Sequence, residues 1–314
     1  MLAYTFRRLL LFVPVLLGVA TVTFFLIYIL PGDPVLSLVG ERYDAETIEA
    51  LRTEMHLDDP LILRYAHYIS DLARLDFGTS YITGVPVWDS IKERFPYTLR
   101  LALLAMAIAV CIGIPTGVVA SWKWRTPIDF MTMGTTVVGI SMPVFWLGVL
   151  LIYLFSIRLH LLPPSGYGGG SITHLILPAF TLAQASAAYI ARITRSSMLD
   201  EIGSQYVQNA RAKGVPERAV IFKHTLRNAL LPVITVVGAD FGSYLSGAVL
   251  TESIFAWPGL GRFTIDAIMK RDLPAMQGAV LFMAVVFLSI NLLVDLLYAR
   301  IDPRVSVGGR GREG

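Results

Sequence analysis

The chain has 314 residues, of which 55% are apolar and only 16% charged. Its mean hydropathy of +0.63 is too high for an ordinary soluble domain, so a soluble fold is excluded. The single cysteine, Cys111, lies in an apolar run, which excludes a disulfide framework and a thiolate metal cluster.

Long apolar stretches recur along the chain. A membrane-spanning helix needs about 20 mostly apolar residues, because each residue adds about 1.5 Å across a hydrocarbon core of about 30 Å. The first stretch follows Arg7 and Arg8 but is too long for a secretory signal, so we expect it to be retained as a span. Six stretches qualify: residues 9–30, 101–122, 130–157, 175–191, 229–251 and 276–298. They predict an all-α integral membrane protein with six transmembrane helices.

The basic residues indicate the orientation of these spans. With the N-terminus inside, the internal segments carry 15 of the 26 basic residues, whereas external residues 31–98 carry 12 acids against 6 bases. By the positive-inside rule, both termini are predicted to be cytoplasmic. The net charge of +3 then reflects topology and faces lipid headgroups or a cytoplasmic partner, so nucleic-acid binding is not expected.

Residues 31–98 are predicted to form an extracytoplasmic segment with two short amphipathic helices. Asp44 is a candidate cap for a helix over residues 45–56, and Asp59-Pro60 supplies a cap and first-turn proline for a second helix. The second helix has an apolar face at spacings of three and four residues: Leu61, Ile62, Tyr65, Tyr68, Ile69 and Leu72. This face either lies on the membrane or the bundle, or docks an external protein.

Residues 192–228 are predicted to form a polar internal loop of helical pattern. Gly214-Val215-Pro216 divides it, and Gly214 is suited to a left-handed C-cap. A short amphipathic helix ending there packs on its own bundle or docks into a groove on a soluble partner.

This loop contains YVQNARAKG at residues 206–214 and KHTLRNALLP at residues 223–232. These two segments resemble the cytoplasmic signature of ABC-importer permeases of the dipeptide, oligopeptide and nickel group, with Gln208-Asn209-Ala210 in place of the Glu-Ala-Ala of the general importer signature. The resemblance continues over nearly the whole chain in LPGDP at 30–34, DFGTS at 76–80, SMP at 141–143, RSSM at 195–198, WPGLGR at 257–262, NLLVDLLY at 291–298 and DPR at 302–304.

The resemblance implies a type I ABC-importer permease architecture, with residues 1–314 forming a single permease domain and residues 192–228 its coupling loop. It also implies a second homologous permease subunit, two cytoplasmic ABC ATPase subunits and an extracytoplasmic solute-binding protein. The helix ending at Gly214 then inserts into a groove of one ATPase. The implied coupling residues are Tyr206, Gln208, Ala210, Ala212 and Gly214.

Three residues inside spans are candidates for the translocation pathway. Asp240 lies deep in the fifth span, where an ionised carboxylate costs about 2.5–3.5 kcal/mol, so it either lines the pathway or is an internally hydrogen-bonded or protonated acid. Ser141 and Pro143 belong to an interrupted stretch that is either a static kink or part of a moving gate. Prolines 115, 178 and 232 are also expected to interrupt spans.

Motifs for nucleotide, metal or nucleophile chemistry are absent from the sequence. It contains no phosphate-binding G-x-x-x-x-G-K-[ST], H-E-x-x-H, C-x-x-C or G-x-S-x-G motif, so ATP is expected to be hydrolysed on another chain and no cofactor is expected on this one. An intramembrane enzyme is the alternative of a different class. The group resemblance favours dipeptides or short peptides as solute, with a nickel chelate or glutathione as the alternative.

Overall fold

The computed structural model describes residues 2–29 and 58–301 together with the isolated positions 35, 49, 52 and 53. The predicted helix over residues 45–56 lies almost entirely outside the described residues, as do the motif at 30–34 and the C-terminal tail. The described part of the chain is helical, and its one bridge of β type joins Thr79 to Pro86.

Twelve α-helices follow one another in the described residues. They are α1 Leu2–Ile29, α2 Leu61–Ala73, α3 Val87–Trp122, α4 Pro127–Ser141, α5 Val144–Leu151, α6 Ile172–Ile202, α7 Gln205–Ala212, α8 Glu217–Ala219, α9 Leu226–Leu245, α10 Val249–Ile254, α11 Leu260–Lys270 and α12 Leu273–Ile301. Two π-helical stretches, Ile152–Arg158 and Val220–Thr225, extend α5 and lead into α9.

The predicted all-α fold is confirmed. Five helices are long and apolar enough to cross a membrane, and there are six such spans if the bent pair α4 and α5 is counted as one. The pair bends by 102° at its break, whereas we predicted one stretch over residues 130–157. Pro143 explains the break, because proline lacks a backbone N–H and its ring clashes with the preceding turn.

The other predicted interruptions are wrong. Residues 115, 178 and 232 are prolines, yet each lies inside a continuous helix, respectively α3, α6 and α9. A proline inside a helix removes one backbone hydrogen bond. The helix can continue when neighbouring groups bond to the carbonyl that is left without its donor.

The chain divides into two compact units, Met1–Thr98 with Pro258–Val286, and Leu99–Trp257 with Phe287–Gly314. In the second unit, α6 is the most buried of the long apolar helices. The helices α4, α5 and α9 all pack against it. This helix therefore supplies the core of the second unit.

Two glycines bring α3 against α6. Gly113 and Gly117 lie one turn apart, and a Cβ on Gly117 would stand 2.5 Å from the Ala191 carbonyl oxygen and 2.6 Å from Thr194 Cβ. A Cβ on Gly113 would stand 2.7 Å from the Ala187 carbonyl oxygen. Glycines spaced by four residues allow this backbone approach, and close approach is a main source of helix association in lipid.

The first unit has its own apolar core. Its members are Val87, Ile91, Leu260, Ala267, Ala275, Met276 and Met283. The turn before α11 is fixed to α3 by a hydrogen bond of 2.8 Å from the Leu260 amide to Thr98 Oγ1. The helices α10 and α11 were not predicted, because the Gly and Pro residues between them interrupt the apolar periodicity.

Helix α2 differs from the prediction in its start. It begins at Leu61, and Pro60 occupies the cap position without a side-chain hydrogen bond there. The helix therefore starts one residue later than predicted, since we expected Asp59 as the cap and Pro60 in the first turn. Tyr65 and Tyr68 of its predicted apolar face stack on Phe25 and Phe24 of α1. Ile62 remains 84% exposed. Part of this face therefore packs on the helical bundle.

Two other predicted boundaries shift. Helix α3 begins at Val87 and contains the last residues of the predicted external segment. Helix α6 runs on to Ile202, so the first part of the predicted internal loop continues the fourth span. A helix that continues beyond the apolar part of its span has polar residues at that end. Hydropathy alone therefore predicts such a helix to be shorter than it is.

We predict that Gly117→Leu lowers the free energy of unfolding by about 3 kcal/mol, because the new side chain meets α6 backbone that cannot move aside. The matched control is Gly134→Leu, since a Cβ there meets nothing within 4 Å. Thermal unfolding in detergent, followed by size-exclusion chromatography, measures both. Equal midpoints for the two variants would contradict the close packing of α3 on α6.

Candidate functional site

The predicted coupling helix is present as α7, and both of its ends are well defined. Ser204 occupies the N-cap position, and Gly214 has a φ of 76°, the left-handed conformation that glycine adopts without strain. The Gly214 amide donates to the Arg211 carbonyl at 2.9 Å, and the Val215 amide donates to the Ala210 carbonyl at 3.2 Å. This is the Schellman pattern, so the predicted C-cap is confirmed.

Helix α7 has one face against its own loop and one face outward. Val207 and Ala210 are buried in a small apolar cluster with Val220, and Val215 packs on it. Ala212 and Gly214 are exposed, and so is Gln208. The Gln208 side-chain amide donates to the Gly203 carbonyl at 3.1 Å. Of the predicted coupling residues, Ala210 therefore faces inward, while Gln208, Ala212 and Gly214 face outward.

Tyr206 connects α7 to the elements on both sides of it. Its hydroxyl donates to Glu201 Oε2 of α6 at 2.5 Å and lies 3.2 Å from the His224 carbonyl oxygen. The Asn228 side chain of α9 donates to the same hydroxyl at 2.9 Å. Partial burial raises the pKa of Tyr206, and its hydrogen bond to Glu201 raises that pKa further, so the phenol keeps its proton.

A charged pair closes the loop after α7. Arg211 Nη2 lies 2.6 Å from Glu217 Oε1, and Arg211 Nε lies 3.1 Å from Glu217 Oε2. The hydrogen bond to Glu217 raises the pKa of Arg211. Both side chains are exposed, so the pair contributes little to stability but fixes the turn between α7 and α8.

The break in the third span is held by one side chain of α6. Because Pro143 has no N–H, it cannot bond to the carbonyl of Gly139 four residues earlier. The Gln184 side-chain amide donates to that carbonyl instead. Gln184 Oε1 is buried and has no hydrogen-bond partner in the described part of the chain. Ser141 and Pro143 themselves are exposed at the break.

Asp240 is half-buried and lies against α6. Ser186 of α6 lies close to Asp240, and Tyr244 one turn further along α9 donates to the Leu182 carbonyl at 3.0 Å. Both roles considered for Asp240, in the pathway or in an internal contact, stay predictions.

Comparisons with known proteins decide the family. Residues 113–307 match the family described as binding-protein-dependent transport system inner membrane component, and residues 1–102 match the N-terminal region described for the same kind of component. The first match covers more than half of the chain.

The chain belongs to the family of binding-protein-dependent transport system inner membrane components. It is a multi-pass inner-membrane permease of the ABC-importer type.

Curated relatives of this permease align over almost their full length. A dipeptide transport system permease protein from Alkalihalophilus pseudofirmus is 41% identical over 97% of this chain and 99% of its own. A glutathione transport system permease protein from Escherichia coli is 44% identical with the same coverage. Both relatives therefore support the resemblance of this chain to ABC-importer permeases of the dipeptide group.

Solved structures share the fold. The chain is similar to one in an inward-facing structure of the MetNI methionine ABC transporter, with a TM-score of 0.58 and 16% identity over 68% of this chain and 96% of the other. A chain of an amino acid ABC transporter solved with histidines gives a TM-score of 0.54 and 20% identity over 68% of this chain and 94% of the other. These matches confirm the type I importer permease fold.

Two polar side-chain contacts within the permease were not predicted from the sequence. Asp129 at the start of α4 is buried and receives two hydrogen bonds from Arg195 of α6, at 2.6 and 2.8 Å. Arg195 belongs to the motif at 195–198, and Asp129 is an acid at the start of a span; together these two signals indicate an ion pair. Gln184 was also missed, although Pro143 implies that the Gly139 carbonyl needs another donor.

The described residues of the permease contain no group of three or more His, Cys, Asp or Glu side chains that could hold a metal ion.

We predict that Gln184→Leu lowers the free energy of unfolding by about 1–2 kcal/mol, because it leaves the Gly139 carbonyl without its donor. The control is Gln205→Leu, which removes an exposed glutamine from α7. Thermal unfolding in lipid nanodiscs compares the two. A Gln184→Leu protein as stable as Gln205→Leu would show that the break does not depend on this hydrogen bond.

Proposed function

We propose that this permease forms half of the translocation pathway of an ATP-driven importer for dipeptides or short peptides, working by alternating access. ATP hydrolysis takes place on separate subunits, and this chain carries no cofactor. The complex contains a second homologous permease, two cytoplasmic ABC ATPases and an extracytoplasmic solute-binding protein. Both termini and residues 192–228 face the cytoplasm, and residues 31–98 face outward.

The observation that carries the proposal is the construction of α7. A helix of eight residues is too short to be stable alone, yet here it is capped at Gly214 and anchored by Val207 and Ala210. Its outward residues include the uncharged Gln208 and Ala212 beside the exposed Arg211. A short, rigid helix with such a face suits insertion into a groove of a soluble partner.

The Tyr206 hydroxyl supplies a route from that helix to the spans. It contacts Glu201 at the end of α6 and Asn228 at the start of α9. A push on α7 therefore acts on both helices that pack together in the second unit. Ser141, Pro143 and Asp240 remain the pathway candidates, since Ser141 and Asp240 lie on helices that contact α6 and Pro143 lies at the break between two such helices.

The peptide substrate is proposed from the dipeptide permease relative, which is 41% identical to this chain. Glutathione is the second candidate, because a glutathione permease is 44% identical. Glutathione is itself a short peptide with an additional carboxylate, and a nickel chelate is the remaining alternative.

The test is ATP hydrolysis by the complex purified through a tag on this chain and reconstituted with its binding protein. We expect an ATPase to copurify and dipeptides to stimulate hydrolysis more than glutathione or nickel. Stimulation by glutathione or nickel alone would overturn the substrate, and the absence of an associated ATPase would overturn the importer role.

The same assay tests α7 directly. Ala212→Trp should reduce the stimulated rate by about tenfold, which corresponds to roughly 1.4 kcal/mol of docking free energy, because the indole fills the outward face. Ala212→Ser keeps a small side chain and should retain the wild-type rate. Equal rates for the two variants would show that this face does not contact the ATPase.

A further inference from the structure

A cavity of about 240 Å³ lies within the first unit and is lined by both polar and apolar side chains. Its walls are α2, the segment from Asp76 to Tyr81 and the first turns of α12. Ligand pockets for drug-sized molecules begin at about 300 Å³, so this cavity suits a smaller compound.

One wall of the cavity is a continuous stripe along α2. Arg64, His67, Tyr68 and Asp71 line it, at spacings of three, four and seven residues that place them on one face of a helix. The phenol ring of Tyr68 stacks on Phe24 of α1. This contact holds the stripe against α1.

The opposite wall is fixed by a buried carboxylate. Asp272, immediately before α12, accepts hydrogen bonds from Ser80 Oγ at 2.5 Å and from the Tyr81 amide at 3.1 Å. Asp76 Oδ1 accepts the Gly78 amide at 2.8 Å, which shapes the turn that lines the cavity. The polar groups of this wall are therefore held in place before any ligand arrives.

The charges are separated along the cavity. Arg64 and Asp71 lie seven residues apart on α2, which is about 10 Å along the helix axis. Arg64 and Tyr81 both line the cavity; burial raises the pKa of Tyr81, and the positive charge of Arg64 opposes that rise. Asp76 adds a second carboxylate to the lining. No described group pairs with the Asp71 side chain.

We propose that this cavity binds a short zwitterionic peptide. Arg64 and His67 donate hydrogen bonds to its carboxylate, and Asp71 and Asp76 accept them from its ammonium group. An extended dipeptide spans about 7 Å, which flexible side chains at either end can bridge, whereas longer peptides exceed the volume. The inference rests on the proposed peptide substrate and adds a second holding site, on the face predicted to be extracytoplasmic.

The experiment is isothermal titration calorimetry of the full-length permease in nanodiscs with alanyl-alanine. We expect saturable binding that weakens by about tenfold or more when the peptide is N-acetylated or C-amidated, because each change removes a charged end. Arg64→Ala and Asp71→Asn should weaken binding to a similar extent. Arg74→Ala and Asp58→Asn alter exposed residues outside the cavity and serve as matched controls.

Absence of binding by the wild-type chain would overturn the inference, and so would equal losses in the cavity variants and their controls. Binding that is indifferent to the blocked peptide ends would also overturn it. Peptide transport by the reconstituted complex is measured separately. Transport without binding here would reject this site alone, whereas the absence of peptide-stimulated hydrolysis would reject the proposed substrate.

Discussion

Packing against α6 is the interaction on which the second unit depends. Gly113 and Gly117 let α3 approach its backbone, and Arg195 of α6 binds the buried Asp129 at the start of α4. Gln184 of the same helix donates to the carbonyl that Pro143 leaves unpaired. In lipid no water competes for these groups, so each must find its partner within the protein.

This arrangement gives α6 a mechanical role as well as a structural one. The helix runs without interruption from the centre of the second unit to Ile202, two residues before the Ser204 cap of α7. The Tyr206 hydroxyl then ties α7 back to Glu201 of α6 and to Asn228 of α9. Movement of α7 would thus reach the long helices through hydrogen bonds and continuous helix, with no flexible linker between them.

Much of this architecture could be predicted from the sequence. Apolar runs of sufficient length identified the spans. Gly214 before Val215-Pro216 predicted the end of α7, because glycine favours the left-handed C-cap and a proline shortly after it cannot continue the helix. Periodicity did not show that Ala210 faces inward and Ala212 outward, since α7 carries alanine on both faces. The stripe that includes Arg64 and Asp71 on α2 was not predicted, because the periodicity of that helix was judged from its apolar residues alone.

The most direct test of the account is crosslinking from α7 in a chain whose only native cysteine is removed by Cys111→Ala. Cysteine is introduced as Ala212→Cys, on the outward face, or as Ala210→Cys, on the buried face, and a short thiol-reactive crosslinker is added to the purified complex. The account predicts a crosslink to the ATPase from position 212 and little from position 210. A crosslink from position 210 alone, or from neither, would contradict the assignment of α7 as the coupling helix.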